Sequence, residues 1–453
     1  MNYKIFDISK YEYNEENNIL KLYYKIDELE FIEEINFNPN KLKLRVLNDS
    51  ERLALNLAFT YLHIVAGVSY YKALLPNEIK ISTIKITKEQ KEFFDKIYLN
   101  GLGEFAFKNN VNLSDKINFP YSDAAENNGI NLKLNNDFIV PIGGGKDSIV
   151  SLDMLQKIKN QKLYTFSVNI AKPIKDCCEL SDCENISVSR KIAPLLFEIN
   201  KNPEKYNAYN GHVPITSIIA FISVAAGILY NCNTTVISNE CSANIGNTMH
   251  DGMIVNHQWS KSFEAEKSIH DFIQKYITPD FSYFSLLRPI YEIHIAKLFS
   301  KIKKYDAVFA SCNKNFKIIK NEKPLRWCCN CDKCRFVFLI LAPFYKKDDL
   351  VKIFGKDLLN DETQYQGYQE LTGFSGYKPF ECVGEIEESI TAFYLLRNSD
   401  FKNDSVVLKI NEKINQKYTE ENLKSFVKKY FGYNFKNTLL NNNFKDLFEE
   451  YVK

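Results

Sequence analysis

FIVPIGGGKDS, residues Phe138–Ser148, is the stretch that decides the fold. Phe138–Ile142 is a short apolar run that reads as a buried strand, and Ser148–Lys157 carries the spacing of an amphipathic helix. Between them, Gly143, Gly144 and Gly145 let the backbone turn sharply and approach a ligand without Cβ clashes. The helix that follows offers free N–H groups and about half a positive charge at its start, which together make an anion site suited to phosphate. Two familiar phosphate loops are excluded. A Walker loop needs Gly where Val140 stands and Ser or Thr where Asp147 stands, and the dinucleotide fingerprint needs a third Gly in place of Ser148.

Downstream, apolar strands alternate with helices. The pattern predicts strand Leu163–Asn169, strand Leu196–Ile199, helix Ile215–Leu229 and strand Thr234–Ser238, an α/β alternation that argues for a parallel sheet covered on both faces. Upstream, residues 1–48 alternate apolar and polar positions and read as antiparallel strands with Asn-rich turns. A helix is expected from Ser50 through Val65, a strand over Ile79–Thr87 and a helix over Lys88–Tyr98. The polar stretch Tyr121–Asn136 is the best boundary. Three regions follow: an N-terminal α+β domain (1–135), the α/β domain with the loop (136–345) and a mainly helical, lysine-rich region (346–453).

With 453 residues, two or three domains are expected at about 150 residues each. A net charge of +2 gives no overall bias toward nucleic acid. Met1–Lys10 shows no charged segment followed by an apolar run, and the longest apolar run, Ser217–Tyr230, is shorter than the ~20 residues a bilayer requires. The reading therefore expects a cytoplasmic protein with no membrane insertion. The 11 cysteines are an odd number, which argues against a disulfide framework. Cys328, Cys331 and Cys334 are spaced C-x₂-C-x₂-C, with Cys312 upstream, and four thiolates suit tetrahedral metal, zinc ahead of an iron–sulfur cluster. Cys177, Cys178 and Cys183 match no metal spacing and read as free thiols.

The loop resembles that of the ATP pyrophosphatase (PP-loop, adenine nucleotide α hydrolase-like) superfamily, usually Ser-Gly-Gly-x-Asp-Ser. Gly144, Gly145, Asp147 and Ser148 match, and Gly143 replaces the first Ser. The resemblance implies ATP bound along Gly143–Ser148 and cleaved at the α phosphorus, with Asp147 helping to hold Mg²⁺ and Ser148 bonding phosphate; Lys146, at a position variable in that superfamily, is a further source of charge. Ser311-Cys312 followed by Cys328–Cys334 resembles the structural zinc knuckle of one branch, the 7-cyano-7-deazaguanine synthases.

Eight stretches, in order, are similar to the family of bacterial cell-wall epimerases that act on UDP-N-acetylmuramoyl-L-alanyl-L-glutamate. They are His63–Lys72, Gly101–Lys108 (GLGEFAFK), Pro141–Ser148, Asn210–Ser217 (NGHVPITS), Val255–Lys261 (VNHQWSK), Ser285–Pro289, Arg326–Phe344 and Lys378–Glu385 (KPFECVGE). The similarity spans residues 60 to 385. It implies an ATP- and Mg²⁺-dependent inversion of the terminal L-glutamate through an acyl-adenylate, with the UDP-linked muramoyl dipeptide as substrate. Adenylation explains why an isomerase would use ATP, since it removes the carboxylate charge that keeps the α-hydrogen non-acidic. The α-proton base stays open among His257, Lys261, Glu240 and His212. Glu240 directly follows an expected strand and is also a Mg²⁺ candidate. Arg288 and Lys261 are candidate partners for a carboxylate or diphosphate. Tyr70, Tyr71 and Lys72 read as core. An amide- or nitrile-forming ligase of the deazaguanine-synthase type is the alternative.

Overall fold

The computed structural model describes residues 3–246, 248–250, 252–315, 326–376 and 378–453. Met1 and Asn2, at the start of the stretch read as strands, lie outside them. The strands are Ile5–Asn14 (β1), Ile19–Ile26 (β2), Leu29–Asn36 (β3), Glu78–Ile81 (β4), Asn135–Pro141 (β5), Leu163–Val168 (β6), Glu184–Lys191 (β7), Cys232–Ile237 (β8), Thr248–His250 (β9), Met253–Val255 (β10) and Ser282–Ser285 (β11). Among the described residues, nine of these form one sheet in the order β11-β8-β5-β6-β7-β3-β2-β1-β4, and β9 and β10 pair as a separate hairpin.

The segment β11-β8-β5-β6-β7 is parallel throughout. The chain winds from β5 outward through β6 and β7, then returns to lay β8 and β11 on the other side. This doubly wound order leaves a crevice between β5 and β8 at their carboxyl ends, where ligands gather in open α/β sheets. The N-terminal strands do not form a sheet of their own. They continue the parallel sheet through an antiparallel β3–β7 junction that pairs Ile35 with Arg190. A buried ion pair locks that junction: Arg190 Nε and Nη2 donate to Glu33 at 2.6 and 3.0 Å, and Tyr70 Oη donates to the same carboxylate at 2.8 Å. Tyr70 and Tyr71 are thus core residues, as expected.

Both faces of the sheet are covered, as the alternating pattern predicted. Ile139 and Ile237 turn to one face, where helices Asp49–Ala66 and Ile215–Tyr230 pack with the N-terminal strands. Val140 and Val236 turn to the other, against helices Lys146–Leu155, Glu292–Phe299, Asp332–Leu341 and the C-terminal helices. Burying each such side chain contributes about 1.5–3 kcal/mol. The stretch Asp49–Leu74 is long and apolar enough to cross a bilayer, a feature the sequence reading passed over; 83% of its apolar window is buried inside the fold, as in a core helix.

Two expectations need correction. Leu196–Ile199 is not a strand; it lies in helix Pro194–Lys201, where Pro194 presets the first helical turn. The strand at that place is β7, whose alternation of Ile186 and Val188 with polar residues is too short to stand out in the sequence. The expected strand Ile79–Thr87 is confined to β4.

Candidate active site

The glycine loop leaves β5 at the crevice and enters helix Lys146–Leu155, capped by Gly145 with no side-chain hydrogen bond, so its first N–H groups are available to a ligand. Gly144 has φ +78°, a conformation side chains disfavour, and its carbonyl accepts from Ala310 N at 2.8 Å. A Cβ on Gly145 would overlap Ser311 Oγ, whereas a Cβ on Gly143 would meet nothing within 4 Å among the described residues. Ser148 Oγ donates to Gly145 O at 3.1 Å. A cavity of about 300 Å³ opens over the loop, lined by Gly143, Gly145, Asp147 and Ser148 on one side and by Asn239, Lys261, Ser311, Asn313, Lys333 and Cys382 on the others.

Lys146 does not reach into this cavity. It is buried and paired with Asp147 and Glu292, and these two carboxylates hold its ammonium charged against the cost of burial. Glu292, at the start of its helix, also accepts from Lys333 Nζ at 3.3 Å. Burial would push the Glu292 carboxyl up, but Lys146 and Lys333 hold it well below the usual range. Glu240 is buried just past β8, and burial beside Glu292 and Asp147 raises its carboxyl. Arg288 is committed to structure rather than to a ligand. It pairs with Glu266 and donates to the carbonyls of Glu240 (2.8 Å) and Lys261 (2.7 Å), which fixes both segments.

Four of the scattered stretches converge on the far wall. GLGEFAFK supplies the buried Glu104, NGHVPITS supplies His212, VNHQWSK supplies His257 and Lys261, and KPFECVGE supplies Cys382. His257 Nδ1 contacts the Glu104 carboxylate, its Nε2 lies 3.8 Å from Cys382 Sγ, and Lys261 Nζ donates to that sulfur at 3.3 Å. Burial raises the Cys382 thiol, but Lys261 and His257 more than offset it and hold it at about 6. Burial lowers His257, yet its bonds to Cys382 and Glu104 carry it up to about 9. The electrostatics of the site therefore favour a thiolate at Cys382 beside a charged His257 and Lys261. His212 packs 4.9 Å from the His257 ring and 3.4 Å from Glu104, and burial and the charge on His257 push it down to about 4. Lys333 donates to the Cys382 carbonyl, and Asn313 to Glu381, so the segment around Cys382 is pinned over the loop.

Beside this wall the sulfurs of Cys312, Cys328, Cys331 and Cys334 lie within 4.8 Å of one another. The Cys328–Cys334 separation of 3.8 Å is that of two thiolates on one tetrahedral zinc, for which Zn–S bonds of about 2.3 Å place sulfurs about 3.8 Å apart. The donor set fits the metal. Cys329 is excluded; its Sγ turns to Phe354 O at 3.3 Å. The knuckle opens helix Asp332–Leu341 and so aims Lys333 at the cavity.

The sequence reading thus named His257, Lys261, His212, Glu240 and the loop, which the fold gathers at one crevice. It missed Glu104, Glu292, Lys333 and Cys382. Glu104 and Cys382 lie inside stretches noted only for their similarity, and no local spacing linked them to His257.

A doubly wound sheet with a glycine loop of the kind that suits anions at its switch point, faced by a Cys-His-Glu wall, has the form of an α/β enzyme with its site at the crevice. The chain belongs to the MurL epimerase family and is an isomerase: the MurL N-terminal domain matches residues 1–286 and the MurL C-terminal domain residues 308–425. A relative from Xanthomonas oryzae pv. oryzae is 41% identical over 362 residues, 80% of this chain and 79% of its own. Relatives from Micromonospora sp. and Salinispora tropica are each 39% identical, over 369 and 361 residues, covering 80% and 79% of this chain and 79% and 77% of theirs. All three carry the name UDP-N-acetyl-alpha-D-muramoyl-L-alanyl-L-glutamate epimerase. No solved structure matches the chain.

Proposed function

We propose that the enzyme inverts the terminal L-glutamate of UDP-MurNAc-L-Ala-L-Glu, in the cytoplasm, and that it activates the glutamate carboxylate with ATP to do so. The substrate follows the names of the relatives. The ATP reading rests on one observation: the glycine loop and the side chains of Lys261, Lys333 and Cys382 face the same cavity. Phosphates of ATP would lie on the loop N–H groups of the PP-loop type, with Asp147 the residue that would hold Mg²⁺. The metal would supply charge neutralisation on the phosphates. Lys261 and Lys333 offer positive charge to the substrate carboxylate as it approaches the α phosphorus.

Adenylation turns the carboxylate into a neutral acyl group, so that removal of the α-hydrogen no longer places two negative charges side by side. Inversion then needs an acceptor for the α-proton and a donor on the opposite face, after which water releases AMP and the D-product. The zinc knuckle has a structural role in this scheme: all four coordination positions are taken by thiolates, leaving none for substrate.

Incubation with ATP, Mg²⁺ and the L-glutamate substrate in deuterated water tests the reading. Deuterium at the glutamate α-carbon, D-glutamate and AMP with pyrophosphate are expected together. ADP as the nucleotide product, or AMP without α-exchange, would overturn it.

A further inference from the structure

We infer that Cys382 is the residue that takes the α-proton, with His257 and Glu104 positioning it as a thiolate; this rests on the epimerase reading above. Few groups that face the cavity can accept a proton. Asp147 is tied to Lys146, and the Lys261 and Lys333 nitrogens are engaged as donors, to the Cys382 sulfur and to the Cys382 carbonyl. His257 has one ring nitrogen against Glu104 and the other 3.8 Å from the Cys382 sulfur, so both nitrogens are engaged. His212 contacts Glu104 from behind this pair and does not line the cavity. Among the described residues that face the cavity, what remains is the Cys382 sulfur, which lines it opposite the loop and accepts from Lys261 Nζ.

The order Cys382–His257–Glu104 is the arrangement by which a thiolate is generated and held: the carboxylate orients the ring, and the ring charge stabilises the sulfur anion. In the step assigned here, Sγ takes the α-hydrogen as a proton. An S–H bond forms, the Cα–H bond breaks, and its electron pair moves into the Cα–acyl bond as an enolate. Water protonates the opposite face of Cα, and the thiol proton passes to the hydroxide left behind, which restores the thiolate and the water. The free energy that ionises the sulfur comes from the charged wall, so Glu104 acts through His257 and touches no reacting atom.

The experiment uses the full-length protein and compares two rates: pyrophosphate release and α-deuterium wash-in from deuterated water. Cys382→Ala and the near-isosteric Cys382→Ser should lose wash-in and inversion by roughly 10²–10⁴-fold, the contribution of a general base. Their pyrophosphate release should fall far less, because carboxylate activation precedes proton removal. Glu104→Gln should lower wash-in less than Cys382→Ala and shift the acid limb of its pH profile upward, as the thiol becomes harder to ionise. Wash-in at the wild-type rate in Cys382→Ser overturns the assignment. So does a parallel fall of both rates in that variant, or a substrate adduct on Cys382 seen by intact-protein mass spectrometry. A wild-type enzyme that releases no pyrophosphate overturns instead the ATP reading beneath it.

Discussion

At the scale of single residues, the loop is constrained unevenly. Gly145 has no room for a methyl group beside Ser311, so Gly145→Ala must move either Ser311 or the helix start. A shift of about 1 Å in a site of this kind costs roughly 10²-fold in rate, and Gly145→Ala should show that loss in pyrophosphate release. Gly143 is the opposite case. Among the described residues nothing meets its Cβ position, so Gly143→Ser should leave thermal stability unchanged and keep turnover, with the KM for ATP equal or lower. Asp147→Asn should abolish AMP formation while circular dichroism stays native; retained turnover would remove Asp147 from the proposed Mg²⁺ site. The Glu104–His257 contact also sets a pH window for stability. Burial raises Glu104, but His257 and Lys108 bring it down to about 2, so its contribution is present above 4.5 and lost as pH falls toward 2. His257 is raised to about 9, so the same contact is fully present below 6.5 and lost as pH rises through 9. The Tm difference between wild type and Glu104→Gln should therefore be largest between about 4.5 and 6.5 and narrow on both sides.

At the scale of elements, the knuckle does more than close a loop. It sets the start of helix Asp332–Leu341, and through Lys333 it reaches Glu292, the Cys382 carbonyl and so the reactive wall. Structural zinc in peptides contributes about 10–16 kcal/mol at neutral pH. Purified protein should hold close to one zinc per chain by elemental analysis, and Cys331→Ser should lower both Tm and pyrophosphate release. Absence of zinc and iron would exclude the metal assignment. The β3–β7 junction is the second such element. Glu33 and Arg190 are buried there, and removing one partner leaves a charge without its counterion, a loss of about 3–5 kcal/mol. Glu33→Ala should show that loss in denaturant titration, and Glu33→Ala with Arg190→Met should recover part of it.

At the scale of the molecule, the three regions read along the chain share one sheet. The N-terminal strands lengthen it, their helices cover one face, and the C-terminal helices cover the other. The segment after residue 345 is part of the candidate site, because Cys382 lines the cavity and Glu381 accepts from Asn313. Removing residues 346–453 should uncover the apolar face formed by Val140, Val236 and Phe338, give a product that binds a hydrophobic dye, and leave no inversion activity.

The sequence by itself determined the loop, three of the parallel strands around it (β5, β6 and β8), the four-cysteine set and the family, because strand, glycines, helix and three of the four sulfurs stand in local spacing and the family shows in stretches of similar sequence. It did not show β7, whose polar alternation is too short to stand out, and it read Leu196–Ile199 as a strand on apolar content alone. Only the tertiary structure decided which residues form the wall. Glu104, His257 and Cys382 are more than a hundred residues apart from one another along the chain, and no periodicity connects them. Their ionisation is likewise a property of the fold, since it arises from burial and from charges brought together by three different parts of the chain. The loop that opens the reading says where a phosphate would sit; the packing of the two halves of the molecule around the crevice says what faces it.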